Sequence, residues 1–190
     1  MIKDLMYRSE IEQLVADAYT ALETPDGPAT RFYTPAQLAS LPQGARDWAL
    51  GVGNPVAYAG LQPGETVLDL GCGAGIDVIL AAHEVGAGGK VIGLDILPAM
   101  TDRGRAFTAQ AALNNVQFVN AKMDDIPLPD NTVDVVISNG AINLAARKSR
   151  VLAEALRVLR PGGRLCVSDL TIVEKDLPSE VLTHPSAWAG

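Results

Sequence analysis

Residues 67–75 read VLDLGCGAG, an apolar strand that breaks into a loop with glycine at every second position. Such a loop lets the backbone cradle a nucleotide phosphate, approach another ligand or simply make a tight turn. The surrounding chain decides among these. From Gly64 onward short apolar runs alternate with helical ones. Strands are expected at 66–70, 91–95, 116–120, 133–138 and 164–169, and helices at 74–85, 98–112 and 147–159. Turns are expected at GAGGK (86–90), PDNT (129–132) and RPGG (160–163). Strands that are nearly all apolar and separated by helices are the form of an α/β, doubly wound, mostly parallel sheet covered on both faces. Ligands bind such sheets beyond the carboxyl ends of the strands. Those ends carry Asp69 to Gly75, Asp95, Lys122 to Asp124 and Ser138 to Gly140.

The first fifty residues follow other rules. Ile11, Leu14, Val15, Ala18 and Leu22 share one face of an expected helix over 9–22, which TPDGP (24–28) breaks. Thr34-Pro35 and Asn54-Pro55 each pair an N-cap with proline at the first helical position. The expected organisation is an N-terminal helical cap (1–50), a ligand-binding domain (51–170) and a C-terminal tail (171–190).

Composition narrows the function classes. The 190 residues are 48% hydrophobic, enough for a sizeable core and too much for disorder. A net charge of -7, with no basic stripe, argues against nucleic acid as a partner. Apolar runs are short and broken by Gly or Asp, so no membrane span is expected. Asp4 and Glu10 fall where a signal peptide would be apolar. Cys72 and Cys166 fit free thiols in a reducing cytoplasm, and with His83 and His184 they form no metal-ligand pattern.

The loop does not fit a phosphate. A dinucleotide fingerprint needs a third small residue where Ile76 stands, and no G-x-x-x-x-G-K-[ST] exists. What is present is Asp69 followed by Gly71-x-Gly73-x-Gly75, with Asp95 ending the second strand and LRPGGRL further on. A carboxylate at position 95 can accept hydrogen bonds from both hydroxyls of a ribose. The combination is similar to the cofactor site of class I S-adenosylmethionine-dependent methyltransferases, whose Rossmann-like fold it then implies. That cofactor has an adenosine, no phosphate and a zwitterionic methionine tail. Loop N–H groups are suited to its carboxylate, and Asp69 to its ammonium.

The resemblance extends further. GVGNPVAYAGLQPGETVLDLGCGAGIDVILAA (51–82), GKVIGLDILPAM (89–100), NVQFVNAKMDDIPLPDNTVDVVISNGAINL (115–144) and EALRVLRPGGRLCVSDL (154–170) resemble the arsenite methyltransferase family. With YTPAQLASLPQGA (33–45) the resemblance covers nearly the whole chain. It implies that Asp69, Gly71, Gly73 and Gly75 serve the methionine end, Asp95 the ribose, Ile96 the adenine face, and Met123 with Asp124 the adenine edge. Asn139 stands where a backbone carbonyl meets the ammonium; its side chain is equally suited to capping a turn. Lys122 takes a place where related enzymes often have an acid.

The departures bear on the substrate. The family carries cysteines where this chain has Val52 and Gly140, and trivalent arsenic is a thiophilic centre. The expected reaction is therefore methyl transfer to some other small-molecule acceptor. Tyr7, Tyr33, Trp48 and Tyr58 are candidate acceptor-pocket or core residues, and no residue is marked as a catalytic base. The rival reading is a cofactor-binding subunit that needs a partner chain. The class implies two more strands, and residues 171–190, with Pro178 and Pro185, do not read as that hairpin. Strand five is then expected to be an edge covered by a second copy, by another chain, or by the 170–190 tail folded back over it.

Overall fold

The structure, a computed structural model, describes residues 2–22 and 29–171, with side chains from residue 10 onward. All of the expected tail (171–190) but Thr171, the expected TPDGP break (24–28) and Tyr7's side chain lie outside the described residues. The chain begins with α1 (Ile2–Thr20), a 3-10 turn (Ala29–Phe32), α2 (Pro35–Ala39), α3 (Gln43–Asp47) and α4 (Pro55–Tyr58). Then come β1 (Thr66–Leu70), α5 (Ile76–Val85), β2 (Lys90–Asp95), α6 (Pro98–Gln110), β3 (Val116–Asn120) and β4 (Val133–Asn139). A 3-10 turn (Ile142–Leu144), α7 (Lys148–Val158) and β5 (Leu159–Ser168) complete it.

The strands form one parallel sheet in the order β3-β2-β1-β4-β5. The winding reverses between β1 and β4, which opens a crevice beyond their carboxyl ends. Alternation of side chains assigns the two cores. Val67, Val91, Val135 and Ile137 pack with α5 and the N-terminal helices, while Leu68, Leu70, Leu94 and Val136 pack with α7 through Val151, Ala155 and Val158.

Caps act where the sequence places them. The Thr34 hydroxyl accepts from the Gln37 N–H at 3.2 Å while the Gln37 side chain accepts from the Thr34 N–H at 3.0 Å. That capping box is worth about 1 kcal/mol. Asn54 caps α4 through the Ala57 N–H and, from its amide nitrogen, donates to the Phe32 carbonyl and the Gln37 side chain. One residue thus joins three short helical pieces.

Some elements differ from expectation. α1 begins well before residue 9, and Leu14 on its expected apolar face is 40% exposed while Ile11 is buried. α5 starts at Ile76, not 74, because Gly75 is left-handed at φ 86° and acts as its N-cap. α6 ends at Gln110, before Ala112 turns to φ 53°. The expected turn RPGG lies inside β5. Leu159 pairs with Val133 and pairing resumes at Arg164 with Val135, so residues 160–163 bulge out of register. The same irregularity turns Val133 toward the α7 core and Val135 toward the α5 core, despite their even spacing.

Candidate cofactor site

The carboxyl ends of β1, β2 and β4 open into a single pocket. Asp69, Gly71, Gly73, Asp95, Ile96, Met123, Asp124 and Asn139 all line it. Gly75 does not. It sits behind the wall, where a Cβ would meet the Phe118 ring at 3.0 Å, so it serves the turn and helix packing. Gly71 is required for close approach, since a Cβ there would lie 2.2 Å from that of Ala141. Gly73 has open space in front of it.

The loop's donors are largely spoken for. The Gly71 and Cys72 N–H groups donate to the Leu94 carbonyl at 2.8 and 3.0 Å, and the Gly75 N–H to the Cys72 carbonyl at 2.9 Å. The Gly73 N–H donates to the Asp95 carboxylate at 2.9 Å. The expected cradle of N–H groups is therefore narrowed: among residues 71–75 the Ala74 N–H, on the pocket wall, is the one without a partner among the described residues.

The acids are arranged otherwise. Asp95 accepts from Gly73 and Leu97, both at 2.9 Å, which fixes its carboxylate at the end of β2 with lone pairs to spare. Burial still raises its pKa against those bonds. Asp69 is 2% exposed and its carboxyl has no hydrogen-bond or ion-pair partner among the described residues. Burial, and then the charges of Asp77 and Asp95, push it well above the ordinary carboxylate range. An unpartnered buried carboxyl facing a pocket is costly unless a cation joins it. The ammonium of S-adenosylmethionine would meet that need, and its ribose would suit Asp95. The residues fit the group.

Other walls come from distant segments. Glu12, Val15 and Tyr19 of α1, with Trp48 and Leu50, close one side. Lys122 reaches across to Glu12 at 2.5 Å, which explains a lysine in this position: it secures α1. Asp124 lies 3.6 Å from the Arg147 guanidinium. Of the candidate aromatics, Trp48 lines the pocket, Tyr33 is buried behind it and Tyr58 is 83% exposed. Sequence reasoning missed Tyr19 and Asp77. Tyr19 gives no local signal, whereas Asp77 is a carboxylate in the first turn of a helix that is otherwise apolar there.

The Asn139 side chain caps no helix or turn. Its oxygen accepts from the Val52 and Gly53 N–H groups at 2.8 and 3.0 Å. Its nitrogen donates to the Gly53 carbonyl and the Asp77 carboxylate, both at 2.9 Å, and to the Tyr33 hydroxyl at 3.2 Å. It locks the segment before α4 onto the end of β4.

A five-stranded, parallel, doubly wound sheet with this acid-lined crevice is the fold of class I S-adenosylmethionine-dependent methyltransferases. Residues 61–189 match the family model described as a methyltransferase domain, and the chain belongs to that family. It is 46% identical over 158 residues to an arsenite methyltransferase of Halobacterium salinarum, covering 83% of this chain and 40% of that protein. It is 36% identical to the ubiquinone/menaquinone biosynthesis C-methyltransferase UbiE of a Marinomonas species, covering 66% of this chain and 51% of the relative. Among solved structures it resembles an arsenic (III) S-adenosylmethionine methyltransferase of Chlamydomonas reinhardtii. The TM-score is 0.72 at 38% identity, over 86% of this chain and 55% of that one. The chain thus spans about half the length of the proteins it matches, from 40% to 55%.

Proposed function

We propose that this chain binds S-adenosylmethionine and transfers its methyl group to a small organic acceptor. The observation that carries the reading is Asp69, a buried carboxyl without a partner among the described residues, beside Gly71, Gly73 and Asp95 in one pocket. Asp69 would hold the cofactor's ammonium, Asp95 its ribose, Ile96 its adenine face, and Met123 and Asp124 its adenine edge. The bound cofactor supplies an electrophilic methyl on a sulfonium. The chain's own work is to hold donor and acceptor in line and exclude water, which Trp48, Tyr19 and Leu50 suit as an apolar wall.

Arsenite is not the proposed acceptor. A Cβ built on Gly140 would stand 3.5 Å from the Val52 side chain, so the two positions face each other with no thiol between them. Cys72 does not substitute. Burial, and then the neighbouring Asp69 and Asp95, raise its pKa well above the ordinary thiol value, which disfavours the thiolate that metal binding needs. Calorimetry tests the cofactor reading: S-adenosylmethionine and its demethylated product should bind in the micromolar range and NAD not at all. Binding of NAD alone would overturn it.

A second reading, a cofactor-binding subunit completed by another chain or a second copy, is supported by β5. Among the described residues no strand pairs with its outer edge, and Val167 and Leu170 are 40% and 65% exposed. Light scattering together with turnover by the isolated chain separates the readings. A monomer that turns over acceptor supports the first. Two free thiols suit the reducing cytoplasm proposed as its location, and no described helix is long and apolar enough to cross a membrane.

A further inference from the structure

Asp77 belongs to none of the roles above, yet it lines the pocket and is almost fully buried. It lies in the first turn of α5, where the helix N-terminus favours a negative charge. The Tyr33 hydroxyl donates to one of its oxygens at 3.0 Å and the Asn139 amide to the other at 2.9 Å. Both donors are neutral. From β1 it faces Asp69, and around that pair stand Asp95 and the Cys72 thiol. The cation on the pocket wall, Lys122, is paired with Glu12. Arg105 is felt at Cys72, but no cation acts on Asp69, Asp77 or Asp95 among the described residues, so three carboxyls share a desolvated space without one.

We propose that Asp77 is a positioning carboxylate that, with Asp69, anchors the ammonium of the cofactor's methionine end and ties that end through Tyr33 and Asn139 to the N-terminal segment. This rests on the cofactor reading above. Two neighbouring buried carboxyls do not both ionise cheaply, so the empty pair keeps a proton that a bound cation expels to solvent. Tyr33 carries the signal outward: it sits just ahead of α2, and its hydroxyl is shared by Asp77 and Asn139. Ionised Asp77 strengthens both bonds, so cofactor binding tightens the N-terminal segment against the pocket.

The test is calorimetry of the demethylated cofactor product with the full chain, in buffers of different ionisation enthalpy, from about pH 5 to about pH 8. The wild type should release protons on binding and lose affinity as pH falls. Asp77→Asn should bind about tenfold more weakly at neutral pH and release fewer protons, with a flatter acid limb. Tyr33→Phe keeps the carboxylate but removes a bond that favours its ionised form, so its acid limb should move to higher pH. An Asp77→Asn chain with wild-type proton release and pH profile would overturn the proposal. If that variant does not fold, an unmoved acid limb in Tyr33→Phe overturns it instead. A wild type that binds no product defeats the cofactor reading itself, and this proposal with it.

Discussion

The Asn139 side-chain nitrogen donates to the Asp77 carboxylate at 2.9 Å, joining the end of β4 to the first turn of α5. The same side chain accepts from two backbone amides, those of Val52 and Gly53, so one residue holds three segments around the pocket. Asn139→Ala leaves those amides and Asp77 short of partners in a half-buried space. We expect a stability loss of roughly 2–4 kcal/mol by urea unfolding. Asn139→Asp should be worse at neutral pH, since it sets a third carboxylate beside Asp77 and Asp69, and should recover part of the loss in acid.

Asp95 joins the glycine loop to the end of β2 and is the proposed ribose anchor. Asp95→Ala should weaken binding of S-adenosylmethionine by roughly 2–3 kcal/mol, the range for hydrogen bonds to a charged group. Equal affinity of variant and wild type by calorimetry would remove Asp95 from the site.

Stability of the ligand-free chain should pass through a maximum in mild acid. Burial raises the Asp77 pKa from 3.8 to about 6, so its contribution is full below 3.8 and is lost as pH rises through about 6. The loss is on the order of 2–3 kcal/mol at neutral pH. Glu65 and Glu154 act oppositely. Bonds from Arg164 and Arg157 hold them below their usual 4.5, and that stability is lost as pH falls through their lowered values. Thermal midpoints across pH should therefore peak near about 4.5 and fall as pH rises through about 6, and the cofactor product should move the peak toward neutral. A midpoint that rises steadily to pH 8 contradicts this account.

Trivalent arsenic should bind the unaltered chain weakly and turn over poorly. Cysteine at both 52 and 140 should raise its affinity far more than it changes cofactor affinity, because the two positions face each other. Gly140 has φ 70°, so the second cysteine costs about 1–2 kcal/mol of backbone strain. Titration of arsenite against both chains, with unfolding curves alongside, checks both statements. Efficient arsenite turnover by the unaltered chain would show that the reasoning from missing thiols is wrong.

The sequence by itself determined the sheet and its functional edge. Val67–Leu70, Val91–Leu94 and Val133–Ser138 are apolar runs too short for helices, each followed by chemistry-bearing residues, and a parallel sheet must place those ends together. Asp69, Gly71, Gly73 and Asp95 were legible for that reason. What only the tertiary structure decided involves pairs far apart in the chain. Whether RPGG turns or continues a strand depends on the register that β5 finds against β4. That Asn139 bonds Val52 and Lys122 bonds Glu12 depends on α1 and the segment before α4 packing over the crevice. Asp77 was missed because local sequence carries no record of its burial. Only the approach of Tyr33, 44 residues away, and of Asn139, 62 residues away, shows that its carboxylate faces the pocket and not water.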